Sequence, residues 1–350
     1  MKALRHVAWH TQPEFQDVEI PEPKQGEVLI KMCGVGVCHS DLHVIHEFDE
    51  SLGMPEPPFT LGHENAGYIE KLGAGVEGFE VGDAVVVHNT AGCGLCSYCH
   101  SDNEVYCARS MVNAPGLGVD GGMAEFFLVD SARHLIPLGD VKPWLAAPMT
   151  DAGLTSYHAV KSALPVLTPL SYAVVIGVGG LGHMALQFLR ELTATTIIAV
   201  DNSPEALAMA KKLGADHCLP SDEDTLSAIL ELTDGLGAHA VFDFVGIEAT
   251  MAIANKGTRP LGVMHVVGLG GGAVDWQPTA VPWETPLSTH LGGTHEDLRE
   301  IIALMRRGKI SAETELFHLS DALIVLDKLA KGEIFGRAVL LPDDFDLSQC

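Results

Sequence analysis

The sequence predicts an α/β protein: a doubly wound parallel sheet joined to a second, mainly β domain. Three observations carry this. From about Pro148 onward, short apolar runs alternate with helix-length amphipathic segments, as in a parallel sheet with helices on both faces. Before that point, β-branched runs bounded by glycine and proline dominate. Of 350 residues, 47% are apolar and 19% charged, which fits one or two folded domains and not a disordered chain.

The elements follow in order. Residues 27–32 and 83–87 read as strands, and Pro21, Pro23, Pro55, Pro57 and Pro58 mark connecting loops. Residues 173–176 form a strand, followed by a helix over 184–192. Residues 197–200 form the next strand. The helix after it, 204–213, has Ser203 as N-cap, Pro204 in its first turn and Gly214 at its end. Strands at 240–244 and 264–267 continue the alternation. Charged helices at 296–307 and 320–331 and a strand at 337–341 close the chain. Residues 162–189 carry no charged side chain, but Pro165, Pro169 and four glycines break the run. It reads as strand, turn and helix, not as a membrane span.

The formal net charge is −25, spread over both halves without a basic stripe. This argues against nucleic acid and anionic membranes as partners. Met1 leads into no apolar leader, so a cytoplasmic location is expected. Eight cysteines are too few for a disulfide scaffold, and four cluster in a way that suits metal in a reducing compartment.

Gly177, Gly179, Gly180, Leu181 and Gly182 fall in a G-x-G-x-x-G motif placed between a strand and a helix. That context defines a Rossmann dinucleotide site. The first glycine makes the turn, the second admits a pyrophosphate, and the third lets helix and strand pack closely. The helix N-terminus supplies unpaired N–H groups to the phosphates. Asp201 ends the next strand, where a carboxylate accepts both ribose hydroxyls and repels a 2′-phosphate. No Arg or Lys follows until Lys211. NAD(H) is therefore the expected coenzyme.

Cys93, Cys96, Cys99 and Cys107 offer four thiolates at the spacing of a closed, structural zinc site. Cys38, in one segment, and His63 with Glu64, in another, offer a thiolate, an imidazole and a carboxylate. Such a set binds zinc with one position open.

At these residues the sequence resembles the zinc-dependent alcohol dehydrogenases of the medium-chain dehydrogenase/reductase family, along nearly its whole length. The signature G-H-E-x2-G-x5-G-x2-V is present as Gly62, His63, Glu64, Gly67, Gly73 and Val76. The four-cysteine lobe, the glycine motif and Gly336–Leu340 also match. Bacterial members acting on secondary and aryl alcohols are the most similar.

The resemblance implies a GroES-like catalytic domain over 1–151 and 287–350, with a zinc lobe at about 92–108. A Rossmann domain fills 152–286. It implies two Zn2+ per subunit. The catalytic ion would be held by Cys38, His63 and Asp151, the last standing where well-known members have Cys. Glu64 would sit behind His63 or act as an alternate ligand, and Asp41 would orient His63. The implied reaction is reversible hydride transfer between NAD(H) and an alcohol, ketone or aldehyde. Ser40 would contact substrate and His43 relay the proton. His39 and Arg337 would face the pyrophosphate, and Thr155, Val245 and Gly268 the nicotinamide. His290, Leu291 and Gly292 stand where relatives place aromatics, which suggests room for bulky or aryl carbonyls. The resemblance also implies a homotetramer, as relatives of this length usually are. Polyol, threonine or formaldehyde dehydrogenases of the same branch are the alternatives. A zinc-free reductase or a zinc-binding non-enzyme fits the metal motifs less well.

Overall fold

Buried and exposed residues sort the first part of the chain into antiparallel sheets. The structure, a computed structural model, describes residues 1–347 except 53, 91 and 110–112. Contacts divide the chain into two units: Met1–Leu154 with Gly292–Cys350, and Thr155–Leu291.

The spine of the first unit is Val28–Val37, buried at every position but one. It pairs antiparallel with Glu64–Leu72, Phe126–Val129 and Arg337–Leu341. Its sheet runs in the order Thr314–His318, Arg337–Leu341, Val28–Val37, Glu64–Leu72, Ala84–Val87, Leu135–Pro137. Lys2–His6 joins Glu14–Asp17 and Phe59–Thr60 in a smaller sheet. Leu4, Ile30, Val37, Leu61, Ile69 and Met123 are in the apolar core. Cys38 follows the end of this strand and caps the helix His39–His46.

The second unit is a six-stranded parallel sheet. Its order is His217–Pro220, Thr196–Asp201, Tyr172–Ile176, Ala238–Asp243, Thr258–Val266, Leu287–Thr289. Counted along the chain this is 3-2-1-4-5-6, the dinucleotide-binding order, and a ligand crevice opens where the order reverses. Val174, Ile198, Val241 and Met264 pack its interior. The helix Gly182–Leu192 is buried over its first two turns. The helix Pro204–Lys212 is capped as its sequence demands: Ser203 Oγ accepts from Ala206 N at 3.2 Å, and Gly214 takes φ +97°.

Two boundaries differ from the sequence expectation. Leu287–Thr289 pairs with Met264–Val266, so the chain leaves the parallel sheet after Leu291 and not at 286. Three residues without a turn signal are too short a run to read as a strand. The first crossing falls after Leu154 and not after 151, inside the helix Ala152–Ala163. Among the described residues, no helix is long and apolar enough to cross a membrane.

Candidate active site

The glycine motif behaves as its three roles require. Gly177 turns at φ +85°, and a Cβ there would stand 2.6 Å from Val245 Cγ2. At Gly179 a Cβ would meet nothing within 4 Å, so space lies open over this residue. At Gly182 it would stand 1.8 Å from Gly177 O, so only glycine lets the helix approach the strand. Asp201 Oδ2 accepts from Val178 N at 2.7 Å and Oδ1 from Ser203 N at 2.8 Å, which fixes the carboxylate beside the loop. Gly268 packs its backbone on Val245, so Gly177, Val245 and Gly268 are brought together. Thr155 is buried one residue before Ser156, whose Oγ donates to Leu181 O at 2.9 Å. Ser156 carried no signal in the sequence because a lone helical serine has no motif.

The four lobe sulfurs lie within 4.8 Å of one another. Cys93 and Cys99 are 3.9 Å apart, and Cys96 and Cys99 3.5 Å. A tetrahedral Zn–S4 centre places sulfurs about 3.8 Å apart. Backbone N–H groups of Leu95 and Arg109 point at Cys93 Sγ and Cys107 Sγ. Hydrogen bonds from the N–H groups of Leu95 and Cys96 bring the Cys93 thiol down to about 6. The donor set fits zinc. The lobe is anchored by Glu104, which accepts from Gly92 N at 3.2 Å and pairs with Arg133.

Cys38, His63 and Asp151 also converge. Cys38 caps the helix His39–His46, and its N–H donates to Asp41 Oδ2 at 2.8 Å. His63 comes from the loop before Glu64–Leu72, and Asp151 from the turn before Ala152–Ala163. Asp151 Oδ2 is 3.5 Å from Cys38 Sγ and 3.5 Å from His63 Nε2. Ligands around a tetrahedral Zn2+ stand about 3.3–3.5 Å apart for these donors. Asp41 Oδ1 lies 3.3 Å from His63 Nδ1, on the far side of the ring. His63 is buried, and neither ring nitrogen has a partner of full hydrogen-bond geometry. Burial would neutralise His63, yet Asp41 and Asp151 raise its pKa well above the ordinary value. Burial would also raise Asp151, but His63 and Arg337 hold it at about 2. This cluster is built for a cation, and its donors fit zinc.

Glu64 and Arg337 lie behind it. Arg337 Nε donates to Glu64 at 3.1 and 3.2 Å, and its Nη2 also reaches Asp151 Oδ2 at 3.5 Å. Ala152 N donates to Glu64 Oε1 at 3.1 Å. Arg337 is 3% exposed, and its Nε and Nη2 engage two carboxylates, Glu64 and Asp151. Glu64 is likewise committed to Arg337, and it stands behind the donor group, outside it. Two further residues hold the site without any sequence signal. Asn89 Nδ2 donates to Asp151 Oδ1 at 3.3 Å, which leaves Oδ2 for metal. Gly36 faces Glu64, where a Cβ would stand 1.6 Å from Oε2.

Ser40 and His43 share one face of the helix His39–His46, three residues apart. Ser40 Oγ is 3.6 Å from Cys38 Sγ, and His43 Nδ1 is 2.9 Å from Glu47 Oε2, a side chain 65% exposed. His39, in the same first turn, is exposed.

Known proteins give the same picture. The alcohol dehydrogenase GroES-like domain matches residues 24–140, and the zinc-binding dehydrogenase domain residues 180–307. An NAD-dependent alcohol dehydrogenase of Sulfurisphaera tokodaii is 37% identical over 98% of this chain and all of its own. A D-arabinose 1-dehydrogenase (NADP(+)) of Saccharolobus solfataricus is 37% identical over 94% of each chain. The crystal structure of an alcohol dehydrogenase from Aeropyrum pernix superposes with TM-score 0.91 at 38% identity, covering 98% of this chain and all of the other. The chain belongs to the zinc-dependent alcohol dehydrogenases of the medium-chain dehydrogenase/reductase family.

Proposed function

We propose that the protein is a zinc-dependent alcohol dehydrogenase and carbonyl reductase that uses NAD(H). The observation that carries this is the approach of Asp151 Oδ2 to 3.5 Å from both Cys38 Sγ and His63 Nε2, in a chain that also builds a complete glycine loop. Cys38 Sγ, His63 Nε2 and Asp151 Oδ2 would hold one zinc. Cys93, Cys96, Cys99 and Cys107 hold a second, closed one.

Bound zinc would supply Lewis acidity toward the substrate oxygen, and bound NAD(H) would supply the hydride acceptor or donor. The chain's own residues do the rest. Asp41 keeps the His63 Nδ1 proton on the far side, so that Nε2 presents its lone pair. Arg337 and Glu64 fix the carboxylate of Asp151 from behind. Ser40 would accept the substrate proton at its hydroxyl oxygen while its own proton passes through the cofactor ribose to His43, which would release one toward solvent. Gly177, Gly179, Gly180, Leu181 and Gly182 receive the pyrophosphate, and His39 adds an exposed ring near the start of its helix. Thr155, Val245 and Gly268 line the nicotinamide side. Asp201 holds the adenosine ribose.

The family includes an NADP-linked relative, so the coenzyme choice rests on Asp201 alone. The short side chains at Leu291 and Gly292 support a bulky secondary or aryl carbonyl, and the sugar dehydrogenase among the relatives supports a hydroxylated one. A substrate panel separates them. We also propose a homotetrameric, cytoplasmic enzyme. Gel filtration checks the assembly.

The first prediction concerns Asp201. The kcat/KM with NADH should exceed that with NADPH by at least ~100-fold, and Asp201→Ala should narrow the gap. Equal use of both coenzymes by the wild type would remove the argument.

A further inference from the structure

A third group of buried side chains borders the cysteine lobe and shares no residue with either proposed zinc site. Glu104, His134 and His295 are 6%, 1% and 6% exposed, and their ligand atoms lie within 4.8 Å of one another. They come from three places in the first unit: the turn Glu104–Tyr106, the turn Ala132–His134, and the first residue of the helix His295–Arg306. Nothing in the roles assigned above uses these imidazoles.

Buried imidazoles normally find hydrogen bonds. Here His134 has neither ring nitrogen satisfied, and His295 has Nε2 unsatisfied. The rings are nevertheless held. His134 Nδ1 lies 4.0 Å from Glu104 Oε2, and its Nε2 lies 3.5 Å from Asp130 Oδ1. His295 Nδ1 lies 3.7 Å from Asp102 Oδ1, whose other oxygen accepts from Glu296 N at 3.1 Å. Each histidine therefore has a carboxylate behind it and an unsatisfied nitrogen. Metal-binding histidines are commonly backed in this way.

His88 completes the packing without competing for a ligand. It stacks on His295 with ring centroids 4.1 Å apart. Its Nδ1 accepts from Thr90 N at 3.2 Å, so its Nε2–H donates to Gly293 O at 3.1 Å. The charges favour a cation. Glu104, Asp102 and Asp130 stand against Arg133, which is paired to Glu104, and the exposed Arg299.

We propose that Glu104, His134 and His295 form a third metal site, for a divalent ion of the zinc class, which braces the cysteine lobe. Two imidazoles and one carboxylate are a zinc-type donor set. The observed spacing needs a contraction of roughly 1 Å to reach ligand separations around such an ion. Burial lowers His134 to about 3 and His295 to about 2, so both rings are neutral and can donate a lone pair. Glu104 Oε2 already accepts from Gly92 N, next to Cys93. An ion on Glu104 would thus tie the lobe to the helix His295–Arg306.

The test is a zinc count on the full-length protein, independent of activity. Purified with Zn2+ and freed of loose metal, the wild type should hold three equivalents per chain. His134→Gln and His295→Gln should each hold two. Both variants, reloaded with Co2+, should keep the thiolate charge-transfer band of the cysteine lobe. A wild-type count of two, or variants that match the wild type, would overturn the site. Loss of that band together with the third equivalent would do so too, because the histidines would then only support the lobe. If the variants do not fold, anomalous diffraction of wild-type crystals at the zinc edge decides. A peak among Glu104, His134 and His295 supports the site, and its absence refutes it. The count does not depend on the reaction proposed above, so the two readings fail separately.

Discussion

Arg337 and Glu64 are each other's charge partner in a site almost closed to water, at 3% and 0% exposure. Removing one charge of such a pair leaves the other buried and uncompensated, at a cost of about 3–5 kcal/mol. Arg337→Met should lower stability in urea unfolding by that amount. Adding Glu64→Gln should recover part of it, and a loss below ~1 kcal/mol would mean that water reaches the pair. The single residues that were legible in the sequence sit in motifs. Cys38, His63 and the four lobe cysteines are residue types that chemistry restricts to few uses. Asp151 became legible only through family resemblance, since an isolated aspartate has many uses. Arg337 shows the limit: nothing local announces its pairing with Glu64, 273 positions away in the chain. Asn89, Gly36 and the histidines around Glu104 were silent for the same reason. Each is an ordinary residue until folding brings its neighbours.

At the scale of elements, the inner strands of the parallel sheet were legible because their centres, such as 173–176 and 197–200, are buried apolar runs, and the Ser203–Pro204 start and Gly214 stop mark a helix chemically. Leu287–Thr289 was not, because its pairing depends on a neighbouring strand edge and not on its own three residues. The glycine loop offers a contrast of two substitutions. Gly179→Ala adds a methyl to open space, so folding stability should stay within ~0.5 kcal/mol while KM for NADH rises. Gly182→Ala drives a methyl against Gly177 O, so stability should fall by about 1–3 kcal/mol as well as KM rising. Thermal unfolding with NADH kinetics checks both. Equal destabilisation by the two would contradict the division of roles.

For the whole molecule, the charge of −25 repels an anionic coenzyme, so attraction must be local. Within the parallel-sheet unit, the N-terminus of the helix Gly182–Leu192 is the local source of such attraction. Buried histidines set the acid limit. Burial lowers His265 to about 3 and His290 to about 4, from an ordinary 6.5. Below pH 6.5 the unfolded chain binds protons that the folded chain refuses. Their contribution is complete above pH 6.5 and drains away as pH falls toward 3. His265 alone loses about 2 kcal/mol by pH 5, and His134 and His295 act with the same sign. The melting temperature should fall from pH 7.5 to pH 5, as calorimetry would read. A flat profile would show that these rings are not kept neutral.

The central claim is that Cys38, His63 and Asp151 hold the zinc at which an alcohol is oxidised. The most direct measurement is NADH oxidation with a ketone by the wild type and by Asp151→Asn, with zinc counted in both. The wild type should lose activity on chelation and recover it with Zn2+. Asp151→Asn should lose one zinc equivalent and at least ~100-fold in kcat/KM while keeping the cysteine-lobe metal. An Asp151→Asn enzyme with full zinc and full activity would contradict the account.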